Sequence, residues 1–113
     1  MHEMSIALSI IDLAAEQAKK AAASKIIEIE LDIGTLSGIE IVALNFALEI
    51  AVKNSVLENA NVKINRIEAV SECLGCGHIF ETEVFINHCP ECRETNTRIF
   101  KGKEMQVKSI LVE

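Results

Sequence analysis

The residues best placed to do chemistry are four cysteines gathered in one stretch, ECLGCGHIFETEVFINHCPECRE, which are all the cysteines the chain has. Cys73 and Cys76 form one Cys-x2-Cys pair, Cys89 and Cys92 a second, and twelve residues separate the pairs. A two-residue gap lets both thiolates of a pair reach one metal ion, and two such pairs fill a tetrahedron of Zn–S bonds of ~2.3 Å. Four sulfurs leave no open coordination position, so the chemistry expected is structural zinc rather than catalysis. Gly75 and Gly77 suit a tight knuckle turn, and Pro90 stiffens the second. The alternative use of Cys-x2-Cys is dithiol redox cycling, which calls for a preceding βαβ pattern that is missing here. His78 and His88 flank the knuckles and are expected at the surface or behind the ligands. The spacer GHIFETEVFINH is apolar and β-branched enough to form a short hairpin returning the second pair to the first.

A second candidate is MHEMS, where an imidazole and a carboxylate stand beside the α-amine. The amine of Met1, the following backbone amide and the His2 imidazole can close adjacent five- and six-membered chelate rings. Three nitrogens in a plane suit Ni(II) or Cu(II) better than tetrahedral zinc, and the fourth position stays open to exchange. Glu3 is placed to orient the imidazole. On chemistry alone the more ordinary reading is preferred, a solvated lead-in to a helix with Glu3 favoured by the N-terminal dipole.

Around these groups the chain reads as a small α/β (α+β) protein. MSIALSIIDLAAEQAKKAAA predicts a helix over residues 4–23, with Leu8, Ile11, Ala15 and Ala18 along one face and Lys19 and Lys20 near its C-terminal end. KIIEIELDIG alternates Ile27, Ile29, Leu31 and Ile33 with Glu28, Glu30 and Asp32, the pattern of a half-buried strand. Ser37 and Glu40 have capping-box spacing ahead of Ile41, Leu44, Leu48 and Val52, which predicts a second helix over 38–54. NVKINRIEAV and EMQVKSILVE read as two further strands. A lone terminal strand would leave its backbone groups unpaired, so the last is expected to return to the sheet of the earlier two. The zinc ribbon, residues 71–99, is then an insertion in a domain made of 1–70 and 100–113, with Gly102 the expected flexible exit.

The chain has 113 residues, half of them hydrophobic and a quarter charged, with a net charge of −6. That supports a folded core and opposes disorder. No apolar run reaches the ~20 residues a bilayer requires, and the N-terminal residues lack a basic-then-apolar leader, which together predict a cytoplasmic protein with no membrane partner. Lys and Arg form no stripe, which argues against nucleic acid. The ribbon carries Glu72, Glu81, Glu83, Glu91 and Glu94 against Arg93 and Arg98, with Phe80 and Phe85 for stacking, a poor match to a nucleic-acid-binding zinc ribbon.

MHEMS, LDIGTLSGIE, the two Cys-x2-Cys pairs and the closing EMQVKSILVE, in this order over essentially the whole chain, resemble the HypA/HybF family of hydrogenase nickel-incorporation proteins. The resemblance implies a non-enzymatic nickel metallochaperone for maturing [NiFe]-hydrogenase, in some organisms also urease, with a nickel domain and a zinc domain. It implies nickel ligation by Met1 and His2, with Glu3 supporting, and zinc at Cys73, Cys76, Cys89 and Cys92. Glu40 matches an acidic residue proposed in the family to lie near nickel, which competes with its capping role. Some members carry a histidine two residues after the second cysteine, matched by His78, and another directly after the fourth, where this chain has Arg93; a fixed set of four thiolates is therefore expected. The partners implied are the GTPase HypB and the hydrogenase large subunit, and the state expected is a monomer or weak homodimer.

Overall fold

The computed structural model describes residues 3–113. In chain order the elements are α1 (Glu3–Lys20), β1 (Ile26–Gly34), α2 (Ile41–Ala51), β2 (Asn61–Ile67), β3 (Val70–Cys73), β4 (Ile79–Glu81), β5 (Thr97–Lys101) and β6 (Met105–Val112). They form two three-stranded sheets, ordered β2-β1-β6 and β4-β3-β5, in a molecule of 54 × 25 × 17 Å. Among the described residues no helix is long and apolar enough to cross a membrane.

The first sheet is mixed. β1 runs parallel to β2, the two being joined through α2, and antiparallel to β6, so the last strand does return to the sheet of the earlier two. A βαβ unit therefore does precede the cysteines, contrary to the expectation that none would, and what opposes dithiol cycling is the convergence of both pairs on one point. Ile26, Ile29, Leu31 and Ile33 of β1 are buried with Ile6, Ala7, Ile10, Ala14 and Ala18 of α1 and with Leu44, Ala47 and Leu48 of α2. The opposite face of β1 is polar. There Asn65 Nδ2 donates to Glu30 Oε2 at 2.7 Å and to Asp32 Oδ1 at 3.0 Å, and Lys108 Nζ lies 3.4 Å from Glu30 Oε2.

Three expectations from periodicity are corrected. First, α1 buries the line Ile6, Ala7, Ile10, Ala14 and Ala18, while Leu8 is 51% exposed and Ala15 is exposed. The small side chains of Ala7, Ala14 and Ala18 allow close packing that a search for large apolar residues overlooks. The helix also stops early, at Lys20. Ala22 takes φ 53, the Ala22 N–H donates to Lys19 O and the Ala23 N–H to Ala18 O, a Schellman ending with alanine where glycine is usual.

Second, the β1–β6 register slips twice, between Ile26 and Glu28 and between Glu30 and Leu31. At the first slip two steps along β1 match one along β6, so Ile26, rather than Ile27, joins the core, and Ile27 is 43% exposed. At the second the extra residue lies on β6, so Val107, Ile110 and Val112 pack on the core and Leu111 is turned out.

Third, α2 begins at Ile41. Its N-cap is Glu40, whose side chain accepts the Val42 N–H, and Ser37 Oγ accepts the Ile39 N–H in the turn before it. The predicted capping box is therefore replaced by a glutamate cap that starts the helix three residues later.

In the second sheet the spacer between the cysteine pairs forms no hairpin of its own. It contributes only β4, which pairs with β3; β5 pairs with the other edge of β3. Nor is Gly102 a loose exit. The Leu36 N–H donates to Gly102 O at 2.8 Å, the Gly102 N–H to Glu104 Oε1 at 2.7 Å, and the Ala69 N–H to Thr35 Oγ1 at 3.2 Å. Backbones approach so closely here that a Cβ on Gly34 would lie 2.0 Å from Gly102 O, and one on Gly102 would lie 2.3 Å from Ala69 Cα. Both connections to the second sheet are thus pinned to the end of β1.

Candidate metal centre

β3 delivers Cys73 as its last residue, and the chain then turns sharply. The Gly77 N–H donates to Cys73 O at 2.8 Å and the Cys73 N–H to His78 O at 2.9 Å. The second pair repeats the same bonds: the Arg93 N–H donates to Cys89 O at 2.8 Å and the Cys89 N–H to Glu94 O at 2.9 Å. The turns demand a left-handed residue just after the second cysteine of each pair. Gly77 supplies φ 79 at no steric cost, whereas Arg93 is held at φ 64.

These two turns bring together all four predicted sulfur ligands. Cys73 Sγ lies 3.5 Å from Cys92 Sγ, Cys76 Sγ lies 3.6 Å from Cys89 Sγ, and all four fall within 4.8 Å of one another. A regular tetrahedron of Zn–S bonds of ~2.3 Å places sulfurs about 3.8 Å apart, so the group fits zinc with small adjustments. Cys73 and Cys89 are buried, while Cys76 and Cys92 are exposed.

The sulfur electrostatics point the same way. The Cys76 N–H, aimed at Cys73 Sγ at 3.5 Å, together with the Gly75 N–H, lowers the Cys73 thiol to about 7. The Glu94 N–H favours the Cys92 thiolate too, but the neighbouring cysteine sulfurs and desolvation outweigh it and push Cys92 up to about 12. Cys76 is also raised, because desolvation and Cys89 overcome the His78 N–H. The Cys73 thiolate forms readily, whereas those of Cys76 and Cys92 are opposed by their surroundings, an opposition that a bound cation would relieve.

His78 and His88 lie outside this group of four. His78 stacks on Phe80, with ring centroids 6.0 Å apart and an interplanar angle of 13°, and His88 is exposed. Sequence reasoning missed Ser71 and Asn87, buried polar residues that brace the spacer. The Ser71 hydroxyl lies 3.3 Å from both Asn87 Oδ1 and Arg98 O. Their only signal was an asparagine closing the apolar run VFIN. Arg98 is paired with Glu72 at 3.2 Å and lies 5.8 Å over the Phe100 ring.

The other predicted ligands, Met1 and His2, lie outside the described residues. Glu3 opens α1, and its Oε2 accepts the Glu40 N–H at 3.2 Å. Two carboxylates, Glu3 and the capping Glu40, therefore meet the N-terminus of α2, where unpaired N–H groups and the helix dipole favour negative charge.

A family model described as hydrogenase/urease nickel incorporation, metallochaperone, hypA matches residues 1–112. The chain is 46% identical to the hydrogenase maturation factor HypA of Parabacteroides distasonis, over all of this chain and 98% of that one. It is 40% identical to the protein of the same name from Chlorobaculum parvum over the whole of both chains. The solution structure of the Ni metallochaperone HypA from Helicobacter pylori superposes with a TM-score of 0.69 at 32% identity, covering 99% of this chain and 97% of that one. With sulfur geometry, strand order and whole-chain similarity in agreement, the chain belongs to the HypA family of nickel metallochaperones, maturation factors for hydrogenase rather than enzymes.

Proposed function

We propose that this metallochaperone holds its two metals by separate means. Cys73, Cys76, Cys89 and Cys92 bind structural Zn(II). The amine of Met1 and the His2 imidazole bind Ni(II) as transient cargo, with Glu3 in a supporting role. The observation that carries the nickel assignment is the hydrogen bond from the Glu40 N–H to Glu3, which ties the residue beside the proposed ligands to the start of α2. Glu40 is then a cap rather than a ligand, since its own carboxylate accepts the Val42 N–H at 3.1 Å. The nickel domain comprises residues 1–70 and 100–113, and the zinc ribbon residues 71–99. Delivery proceeds by ligand exchange in the cytoplasm, with the GTPase HypB as nickel source and the [NiFe]-hydrogenase large subunit as recipient.

The test is nickel titration of the untagged protein beside His2→Ala and a version extended ahead of Met1. Both changes are expected to weaken binding and abolish the planar-nitrogen spectrum. Unchanged affinity and geometry in both refute the N-terminal site.

A further inference from the structure

The loop between β4 and Cys89 is built inside out. Its apolar residues Val84, Phe85 and Ile86 are 55, 59 and 92% exposed, whereas its polar residue Asn87 is 9% exposed. Asn87 Nδ2 donates to Val84 O and Phe85 O at 3.3 Å each, and its Oδ1 lies 3.3 Å from the buried Ser71 hydroxyl. The Thr82 hydroxyl donates to Val84 O at 3.0 Å and accepts the Val84 N–H at 3.3 Å. Folding alone gains nothing from turning three large apolar side chains into water. A loop braced from beneath by buried polar bonds, with its apolar tip outward, is preorganised for a partner, because less ordering remains to oppose binding.

The surroundings select that partner. Glu81 and Glu83 immediately precede the tip, and both are exposed. Acidic groups repel nucleic acid, anionic lipid and a second copy of a chain whose net charge is −6. The loop is also linked to the nickel end of the molecule. The Thr82 N–H donates to Ala69 O, the Ala69 N–H to Thr35 Oγ1, and Thr35 begins the turn that ends at Glu40, whose N–H meets Glu3.

We propose that Val84, Phe85 and Ile86 form a docking finger that enters an apolar cleft rimmed by lysine and arginine on a protein that exchanges nickel with this chain. This rests on the nickel-transfer reading above. The finger supplies the apolar anchor and Glu81 and Glu83 supply the orientation.

The test uses the zinc-loaded full chain, a Phe85→Ala/Ile86→Ala variant and a Glu81→Gln/Glu83→Gln variant. Each is titrated against purified GTPase HypB and against the immature hydrogenase large subunit, at low and high salt. The alanine variant is expected to bind at least one of these about tenfold more weakly or worse, with nickel affinity and zinc content unchanged. The glutamine variant is expected to lose less affinity and to flatten the salt dependence. Undiminished binding of both partners by the alanine variant overturns the finger. So does a change confined to self-association or to binding of anionic vesicles. Failure of the unsubstituted chain to bind either partner removes the nickel-transfer partners themselves, and the finger with them.

Discussion

Removing zinc should unfold one sheet and spare the other, because only one of them has an apolar core. From Val70 to Lys101 the buried side chains among the described residues are Ser71, Cys73, Asn87 and Cys89, two polar groups and two proposed metal ligands. The main hydrophobic cluster draws instead on α1, β1, α2 and the residues near β2, with β6 packed against it. Structural zinc in a cysteine site supplies an apparent ~10–16 kcal/mol that is at once binding and folding free energy. Nothing else in β3, β4 and β5 approaches that size. Chelation is therefore expected to abolish hydrogen-exchange protection at the amides of Cys73, Gly77, Cys89 and Arg93, all bonded within the knuckles. Protection at Ile29, Leu31 and Ile33 should persist. Helical ellipticity should barely change, since α1 and α2 contribute 18 and 11 helical residues and the strands β3, β4 and β5 only 4, 3 and 5. Collapse of the helical signal on chelation, or knuckle amides that stay protected, would refute this division.

Three further predictions follow from particular bonds. The Asn65 amide holds the carboxyls of Glu30 and Asp32 below the usual carboxylate range, with Lys108 assisting at both and burial opposing. A depressed folded-state pKa adds stability that is present above the unfolded value and lost as pH falls through the folded one. Asn65→Ala should therefore raise both carboxyl titrations by NMR and move the onset of acid unfolding to higher pH; unshifted titrations contradict the bridge. Arg93→Gly should stabilise the zinc-bound form by about 1 kcal/mol by relieving a left-handed residue at φ 64, read as a higher denaturation midpoint, and a lower midpoint counts against that strain. Gly34→Ala should cost about 3 kcal/mol or more, because its Cβ would meet backbone at 2.0 Å. Gly38→Ala, with open space around it and φ 83, should cost about 1 kcal/mol, and equal midpoints in the pair refute the close approach.

The cysteine site was legible because its information is local: spacing sets which sulfurs meet, and the knuckle bonds repeat at both pairs. The order of the first sheet was legible from alternation in KIIEIELDIG and from the need to pair a terminal strand. What alternation could not reveal was its own interruption. Each bulge between β1 and β6 reverses the phase of one strand, exchanging Ile26 for Ile27 and carrying both Val107 and Ile110 inward, and a bulge is set by two strands distant in sequence. The cap of α2 was misplaced for a similar reason: Ser37 had the right spacing, but its hydroxyl closed a tighter turn onto Ile39, leaving Glu40 to accept from Val42. Ser71 and Asn87 bear on each other across 16 residues, and no motif announces such a pair.

The pinned junction explains how an inserted sheet can serve transfer from a different part of the chain. Ile67 and Gly102 accept from Thr35 and Leu36 through backbone bonds of 2.9 and 2.8 Å, so the entry to and the exit from the second sheet are both fixed to the turn that leads into α2. The same turn ends in Glu40, which holds Glu3. A cargo held at a chain terminus by few donors can be exchanged without opening the core, but such a terminus has little shape by which a partner could find it. A rigid, zinc-closed sheet has shape and offers no exchangeable position. On the proposed assignment the two requirements are met by separate metals on separate elements, and seven residues, Gly34 to Glu40, join the pinned junction to the backbone N–H that bonds Glu3.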